Sequence, residues 1–210
     1  FFKKISKENV DINVVVAYGN ILTKKLINLP NFLSINIHAS LLPRWRGAAP
    51  IHRAILSNDK KTGVCIMRVD EKLDAGPVIL EKSFAINSDD NFETIYNKIL
   101  QYGKKLLKQG IIDIVNNNFS FKFQSEELAS YANKLDKSEF KIIWTEDASK
   151  INLKIRAFSP YPGAWTNFKN SKSRIKILKA SIIDEDDFPK KKYNVGDITE
   201  DFKVKCEEIS

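Results

Sequence analysis

The chain has 210 residues, of which 43% are hydrophobic, so it can form a packed core and is not disordered over most of its length. Its formal net charge of +8 favours a polyanionic partner such as RNA, although a solvated, lysine-rich surface has the same charge balance. The two cysteines form no C-x-x-C pattern that would indicate a zinc site or a disulfide framework, and no segment has the roughly 20 apolar residues of a membrane-spanning helix.

Strands and helices are predicted to alternate along the first part of the chain. The predicted strands, which are short apolar runs, cover residues 14–17, 34–39, 63–69, 78–84 and 119–123. The predicted helices, in which apolar residues recur at helical spacing, cover residues 23–29, 48–56 and 91–115. This alternation is typical of an α/β domain with a mostly parallel sheet, which we assign to residues 1–124.

The rest of the chain has a different pattern. Residues 125–145 are charged and lose the alternation, which predicts a linker. Asp147 is expected to cap a helix that runs to about Phe158, and residues 159–163, which contain two prolines and a glycine, end that helix. The strands predicted beyond it cover residues 164–168 and 174–183. Residues 146–210 therefore form the start of a second, β-rich domain.

Two polar side chains share one face of the second predicted strand. Because side chains alternate between the faces of a strand, Asn36 and His38 lie on one face, opposite Ile35 and Ile37. Polar groups are costly there unless they meet hydrogen-bond partners or a ligand. Ligands of open α/β sheets bind at the carboxyl ends of the strands. Asn36 and His38 are therefore candidate site residues, with ordinary hydrogen bonds to loop atoms as the alternative.

A carboxylate follows the third main strand, in the segment Leu73-Asp74-Ala75-Gly76. Gly76 permits a tight turn that brings Asp74 towards the same end of the sheet. A carboxylate beside an imidazole orients the ring and raises its pKa. Asn36 and a protonated His38 would donate hydrogen bonds to an oxyanion, and Asp74 would accept a proton from an attacking amine. These residues are compatible with a formyl-transfer site, and the set requires neither a metal nor a covalent intermediate.

The clearest resemblance to a known family lies at residues 38–51, which read HASLLPRWRGAAPI. Together with Asn36 and the Leu-Asp-x-Gly segment around Asp74, they resemble the signature of the methionyl-tRNA formyltransferase family. A second match at residues 156–165, RAFSPYPGAW, resembles the beginning of that family's C-terminal barrel. Glycinamide ribonucleotide and sugar formyltransferases share the Asn, His and Asp pattern, whereas the continuation at residues 44–51 is more typical of the tRNA enzyme.

The resemblance implies a partial Rossmann-like formyltransferase domain at residues 1–124 and a partial OB-like, tRNA-holding domain at residues 146–210. It implies transfer of a formyl group from 10-formyltetrahydrofolate, a co-substrate, to the amino group of initiator methionyl-tRNA for translation initiation. Asn36, His38 and Asp74 would be catalytic. The residues implied to line the folate site are Ser40, Leu41, Leu42 and Pro43.

The resemblance also implies a monomeric, bacterial-type cytoplasmic enzyme that needs no metal and contacts no membrane. The family's first strands would precede Phe1 and the end of its barrel would follow Ser210. We therefore expect the chain to be a fragment with little activity by itself. The basic residues implied to contact tRNA phosphates, or else to form a solvated turn, are Lys169, Lys172, Arg174, Lys176 and Lys179.

The loop after His38 leaves further alternatives open. Arg44 and Arg46 are expected to hold the folate loop or approach the tRNA acceptor end, or else to make ordinary loop hydrogen bonds. Trp45 is expected to be a packing anchor, and His52 a structural or surface residue.

Two other functions fit parts of the sequence. A formyltransferase that acts on a small amine, such as an amino sugar nucleotide, would use the same three polar residues. A non-enzymatic RNA-binding module that retains the fold would account for the positive charge. The Trp45 loop and the pattern near Pro162 favour the tRNA enzyme over the small-amine enzyme.

Overall fold

The structure is a computed structural model that describes residues 5–168, 173–189 and 193–207. Its strands are β1 (Ile12–Val16), β2 (Leu33–His38), β3 (Arg46–Gly47), β4 (Lys61–Arg68), β5 (Val78–Ala85), β6 (Tyr131–Ala132), β7 (Ala164–Asn167) and β8 (Arg174–Ile177). Its α-helices are α1 (Lys24–Ile27), α2 (Pro50–Leu56), α3 (Phe92–Val115) and α4 (Ala148–Phe158). Short 3-10 helices cover Lys137–Phe140 and Glu185–Asp187. Within these ranges, none of the helices has the length and apolar character needed to cross a membrane.

The main sheet has four strands in the order β1-β2-β4-β5. β1 and β2 are parallel and are connected through α1. The β2–β4 and β4–β5 pairs are antiparallel, and β4 and β5 are joined by the loop of residues 69–77 rather than by a crossover helix. In the described part of the chain the sheet is therefore mixed, and the expected parallel arrangement holds only for β1 and β2.

Helix α3 covers one face of this sheet. Asn91 caps its first turn: the Asn91 side chain accepts a hydrogen bond from the Thr94 amide, and the Thr94 hydroxyl accepts one from the Asn91 amide, both at 3.0 Å. The buried stripe of the helix contains Ile95, Ile99 and Ile114, which pack in the core. The predicted helix at residues 91–115 is confirmed.

Residues 125–145, which we predicted to be a linker, are folded against both parts of the chain. Ala132 is buried, and β6 pairs in parallel with β3. Ile142 is also buried, and its amide donates a hydrogen bond to the Trp165 carbonyl at 2.7 Å. The segment connects the two predicted domains, but its apolar side chains hold it in place. The strand predicted at residues 119–123 is reduced to a single bridge between Lys122 and Val78.

Helix α4 begins and ends as the sequence predicted. The Asp147 side chain accepts a hydrogen bond from the Ser149 amide at 2.7 Å, and the helix stops at Phe158. Beyond it, β7 and β8 form a two-stranded antiparallel sheet, which is shorter than the predicted second strand because pairing ends at Ile177. This hairpin is compatible with the expected OB-like domain but does not amount to a barrel. Lys169 and Lys172 lie outside the described residues.

One apolar core joins the sheet to α2, α3 and α4. Its buried members include Ile51, Ile55, Val64, Ile95, Ile99, Ile151, Ile155 and Phe158. Because α4 follows the predicted linker, this core contains residues of both predicted domains. The boundaries 1–124, 125–145 and 146–210 remain a prediction.

His52 on α2 packs inside this core. Its ring centroid lies 4.3 Å from that of Phe92 in a stacked arrangement and 6.0 Å from that of Phe158. Burial, helped by the charge of Arg53 and opposed by Glu139, lowers the pKa of His52 to about 4. His52 is therefore a neutral packing residue at pH 7.

This lowered pKa makes the fold sensitive to acid. The unfolded state takes up the His52 proton near pH 6.5 and the folded state only near pH 4, so stability falls as the pH drops between these values. We expect this residue to contribute about 3 kcal/mol to that fall. In urea unfolding at pH 7 and pH 4, His52→Phe should remove most of this contribution. An unchanged pH dependence in that variant would contradict the assignment.

Candidate active site

Asn36, His38 and Asp74 lie together at the carboxyl end of β2. The Asn36 Nδ2 donates to Asp74 Oδ1 at 3.4 Å, and His38 Nδ1 lies 3.5 Å from Asp74 Oδ2. The pleat of β2 places the amide and the imidazole on one face, and the loop after β4 brings the carboxylate to them. The expected proximity of these side chains is therefore present, while their catalytic role remains a proposal.

The turn that carries Asp74 depends on a close backbone approach. Asp74 has φ of 46°, in the left-handed region. An added Cβ at Gly76 would lie 1.9 Å from the Arg68 carbonyl oxygen, which no larger residue tolerates without a backbone shift. The Asp74 side chain is 15% exposed, and its Oδ2 accepts a hydrogen bond from the Gly47 amide at 2.8 Å. The Asp74 carboxylate is thus oriented by the Gly47 amide and by the backbone turn that carries it.

The His38 side chain is 5% exposed, and its Nε2 lies 2.8 Å from the Trp45 carbonyl oxygen. Burial lowers the pKa of His38, and this effect outweighs the opposing influence of Asp74 and of the Trp45 carbonyl. The hydrogen bond to Trp45 assigns the single proton of the neutral ring to Nε2, leaving Nδ1 unprotonated beside Asp74. This direction is opposite to the raised pKa expected from the Asp74 carboxylate, because desolvation exceeds the attraction of the carboxylate.

The four residues expected to line a folate site differ in their surroundings. Ser40 is fully buried, and its hydroxyl donates to the Arg44 carbonyl oxygen at 2.6 Å, so it closes the turn and its hydroxyl proton is already used. Leu42 packs in a buried cluster with Cys65, Met67 and Val78. Leu41 and Pro43 are half-buried, and the peptide bond before Pro43 is cis.

A cleft of about 1000 Å³ lies beside this loop. Its lining residues are Leu41, Leu42, Arg44, Trp45, Asp59, Lys60, Lys61, Thr62, Glu81, Lys82, Ser83 and Lys122. Within the part of the chain that the structure describes, Asn36, His38 and Asp74 do not line this cleft. The cleft and the polar group are therefore adjacent features that share the loop after His38.

The exposed side of that loop is held by ion pairing. Arg44 donates to both Asp59 oxygens, at 2.9 and 2.6 Å, and its guanidinium lies 4.4 Å from the centroid of the Trp45 ring. The Trp45 Nε1 also donates to Asp59, at 2.8 Å. Trp45 thus anchors the loop, as predicted, and Arg44 makes local contacts.

Two side chains behind the Asp74 loop carry contacts that the sequence pattern did not reveal. Gln124 donates through Nε2 to the carbonyl oxygens of Asp74 at 2.9 Å and Gly76 at 2.6 Å. Arg46 is 1% exposed and donates through Nε to Gln124 Oε1 at 2.9 Å. It also pairs with Glu126, and its Nη2 has no hydrogen-bond partner in the described part of the chain. Nothing in the alternating Phe pattern before Gln124 marks it as a site residue.

Other reactive groups in the core are inert. Burial raises the pKa of the Cys65 thiol to about 12, so it is not a thiolate nucleophile at neutral pH. In residues 5–168, 173–189 and 193–207, no group of three or more His, Cys, Asp or Glu side chains is placed to hold a metal ion.

Two family models match this sequence. One, described as formyl transferase, matches residues 1–111, and the other, described as formyl transferase C-terminal domain, matches residues 134–208. The second match begins inside the segment predicted to be a linker. The site geometry therefore occurs in a chain that carries both matches in the expected order.

Several curated relatives of this chain carry the same name. A methionyl-tRNA formyltransferase of Jannaschia sp. (strain CCS1) is 43% identical over 83% of this chain and 56% of its own length. One from Nitrosomonas eutropha (strain DSM 101675 / C91 / Nm57) is 42% identical over 84% of this chain and 55% of its own length. This chain spans about half the length of the curated relatives it matches.

Solved structures share the fold. An N-formyltransferase from Helicobacter canadensis, in complex with folinic acid and dTDP-3-aminofucose, is 26% identical with a TM-score of 0.70, covering 90% of this chain and 67% of that chain. HypX from Aquifex aeolicus, in complex with tetrahydrofolic acid, has a TM-score of 0.65 at 19% identity, covering 74% of this chain and 27% of that chain. At that identity HypX shows a shared fold alone.

The close approach at Gly76 can be tested by substitution. Gly76→Ala should lower the free energy of unfolding by about 1–3 kcal/mol, because the new methyl group collides with the Arg68 carbonyl. Gly19→Ala is the matched control, since an added Cβ there has no described atom within 4 Å, and it should change stability by less than about 0.5 kcal/mol. Equal stability of the two variants in urea unfolding would show that the Asp74 turn tolerates a side chain.

Proposed function

This chain belongs to the formyl transferase family, and from that premise we propose that it transfers a formyl group from 10-formyltetrahydrofolate to the amino group of initiator methionyl-tRNA. The observation that carries the proposal is the convergence of Asn36, His38 and Asp74 at the carboxyl end of β2. Curated relatives at 40–43% identity bear the name of this enzyme, which supports tRNA as the acceptor in protein biosynthesis.

The donor supplies an electrophilic formyl carbon bound to nitrogen. The residues of this chain stabilise the negative charge that develops on the formyl oxygen and transfer the proton of the attacking amine. Asn36 Nδ2 is a half-buried amide donor that stabilises negative charge developing on the formyl oxygen as the methionyl nitrogen forms its new bond to carbon. In its neutral form His38 directs its single ring proton at the Trp45 carbonyl, so we assign this role to Asn36.

Asp74 accepts the proton that the attacking amine loses, directly or through a water. His38 Nδ1 lies 3.5 Å away without a proton, so a proton that reaches the carboxylate is shared with a neutral imidazole. The pair then returns the proton to the nitrogen that leaves the formyl group. One bond from carbon to nitrogen forms, another breaks, and one proton moves between the two nitrogens.

The folate site is proposed on the loop at Ser40, Leu41, Leu42 and Pro43. Folate compounds bound to related solved structures support a folate co-substrate. Leu41 and Leu42 line the cleft, Leu42 also packs in the buried cluster, and Ser40 closes the turn from inside. In this arrangement the loop contributes its backbone, Leu41 and part of Leu42 to the ligand surface.

The tRNA is proposed to contact the hairpin of β7 and β8. Arg174, Lys176 and Lys179 are exposed there, and Arg174 lies with its guanidinium 4.1 Å from the centroid of the Trp165 ring. A stacked guanidinium is held in place while still presenting donors to a phosphate. The family relation alone supports a cytoplasmic, monomeric enzyme.

A small-amine acceptor is the second candidate, because solved relatives at 25–28% identity include sugar formyltransferases. The continuation at residues 44–51 and the names of the curated relatives favour tRNA. A direct competition separates the two: the complete gene product should formylate methionyl-tRNA and leave amino sugar nucleotides unchanged. Formylation of the sugar alone would favour the second candidate.

Asp74→Asn tests the enzyme against an RNA-binding module. Removing the proton acceptor should lower kcat for formyl-methionyl-tRNA formation by about 10²–10⁴-fold while tRNA binding stays within about threefold. Asp70→Asn is the control, since Asp70 is exposed and its side chain contacts only neighbouring groups, the Arg68 guanidinium at 3.7 Å and the Glu71 amide at 2.7 Å. Unaltered transfer by Asp74→Asn would remove Asp74 from the mechanism, and absent transfer by the wild type would favour the module.

The proposed phosphate contacts predict a change in salt dependence. Arg174→Gln and Lys176→Gln should each reduce the slope of log K for tRNA against log salt concentration by about 1, because each removes one phosphate contact. Lys105→Gln on the exposed side of α3 should leave the slope unchanged. If all three variants kept the wild-type slope, the tRNA would not contact Arg174 or Lys176.

A further inference from the structure

A chain of hydrogen bonds holds the Asp74 loop from behind, away from the reacting side. Gln124 Nε2 donates to the carbonyl oxygens of Asp74 and Gly76, at 2.9 and 2.6 Å. Gln124 Oε1 accepts from Arg46 Nε at 2.9 Å, and Arg46 Nη1 pairs with Glu126 at 3.1 Å. We propose that Gln124 and Arg46 are positioning residues that set the Asp74 carboxylate against His38 for formyl transfer, a role that rests on the proposed function.

The distances show why Asp74 needs such support. Its side-chain contacts with Asn36 and His38 are 3.4 and 3.5 Å long, beyond the usual hydrogen-bond range of about 2.7–3.2 Å for nitrogen donors. The hydrogen bonds from Gln124 to the loop backbone fall within or just below that range. The one short contact of the carboxylate itself is the 2.8 Å hydrogen bond from the Gly47 amide, and Gln124 fixes the backbone from which the carboxylate projects.

Arg46 connects Gln124 to the strand that contacts His38. It lies between Trp45, whose carbonyl accepts from His38, and Gly47, whose amide donates to Asp74 Oδ2 at 2.8 Å. The Arg46 backbone amide donates to the Ser130 carbonyl at 2.9 Å, which fixes β3 beside β6. One buried arginine thus holds the strand that touches both members of the proton-sharing pair.

Gln124 is a better residue than Arg46 for testing the proposal by substitution. Arg46 is a buried charge, and removing it leaves Glu126 and Gln124 without their partner and endangers the fold. Gln124 is neutral and half-buried, and a methionine of similar length fills its space without donors or acceptors. A small shift of a reacting group is sufficient to cost about 10²-fold in rate.

The test measures formyl transfer by the complete gene product with Gln124→Met. We expect kcat to fall by about 10–100-fold while KM for methionyl-tRNA and for the folate donor changes by less than about threefold. Gln109→Met is the matched control, because Gln109 lies on the exposed face of α3 and donates only to Asp113 among the described residues, at 2.7 Å. A kcat within twofold of the wild type in Gln124→Met would overturn the proposal.

A second variant covers the case in which Gln124→Met fails to fold. Gln124→Glu keeps an acceptor for Arg46, which favours folding, but lacks the donors to the Asp74 and Gly76 carbonyls. It should lose kcat to a similar extent and have a lower melting temperature than the wild type, because two backbone hydrogen bonds are lost. Full activity in Gln124→Glu would show that only the Arg46 contact matters and would overturn the proposal.

The imidazole titration of His38 separates this proposal from the proposed function. Its NMR signal, assigned by its loss in His38→Gln, reports how near Asp74 lies, because the carboxylate raises the pKa of His38 against the effect of burial. Gln124→Met should lower the titration midpoint, and Gln109→Met should not. A lowered midpoint supports the positioning role even if no formyl transfer is found, and an unchanged midpoint contradicts it even if transfer is found.

Discussion

The candidate site depends on the approach of three backbone segments to one another at the end of β2. The carbonyl of Trp45 meets the His38 ring, the amide of Gly47 meets the Asp74 carboxylate, and the loop at Gly76 passes so close to β4 that a Cβ would collide there. Backbone groups cannot change rotamer, so they orient side chains more firmly than other side chains do. The long contacts between Asn36, His38 and Asp74 are acceptable for this reason, because the side chains are positioned before they meet a substrate.

Burial decides the electrostatics of the site. A carboxylate next to an imidazole ordinarily stabilises the imidazolium, but the His38 ring is almost completely removed from water, and its pKa is lowered. The neutral ring then faces Asp74 as a potential proton acceptor. This assigns oxyanion stabilisation to Asn36 and proton handling to the His38 and Asp74 pair in the proposed reaction.

The sequence predicted the features that local rules determine. The pleat of β2 put Asn36 and His38 on one face, Gly76 indicated the turn at Asp74, and Asp147 marked the first turn of α4. Gln124 was missed because its contact with Arg46 joins residues 78 positions apart, and no local pattern encodes such a pair. The mixed sheet, the folded segment of residues 125–145 and the neutral state of His38 also depend on tertiary packing, which alternation and spacing do not report.

A crystal structure of the complete gene product with a stable formyl-folate analogue tests the central claim most directly. The formyl oxygen should lie about 3 Å from Asn36 Nδ2, with the formyl carbon facing the space beside Asp74 where the amine arrives. The Asp74 loop should keep its contacts with Gln124 and Gly47. A formyl group bound in the neighbouring cleft, out of reach of Asn36 and Asp74, would contradict the assignment of these residues to the reaction.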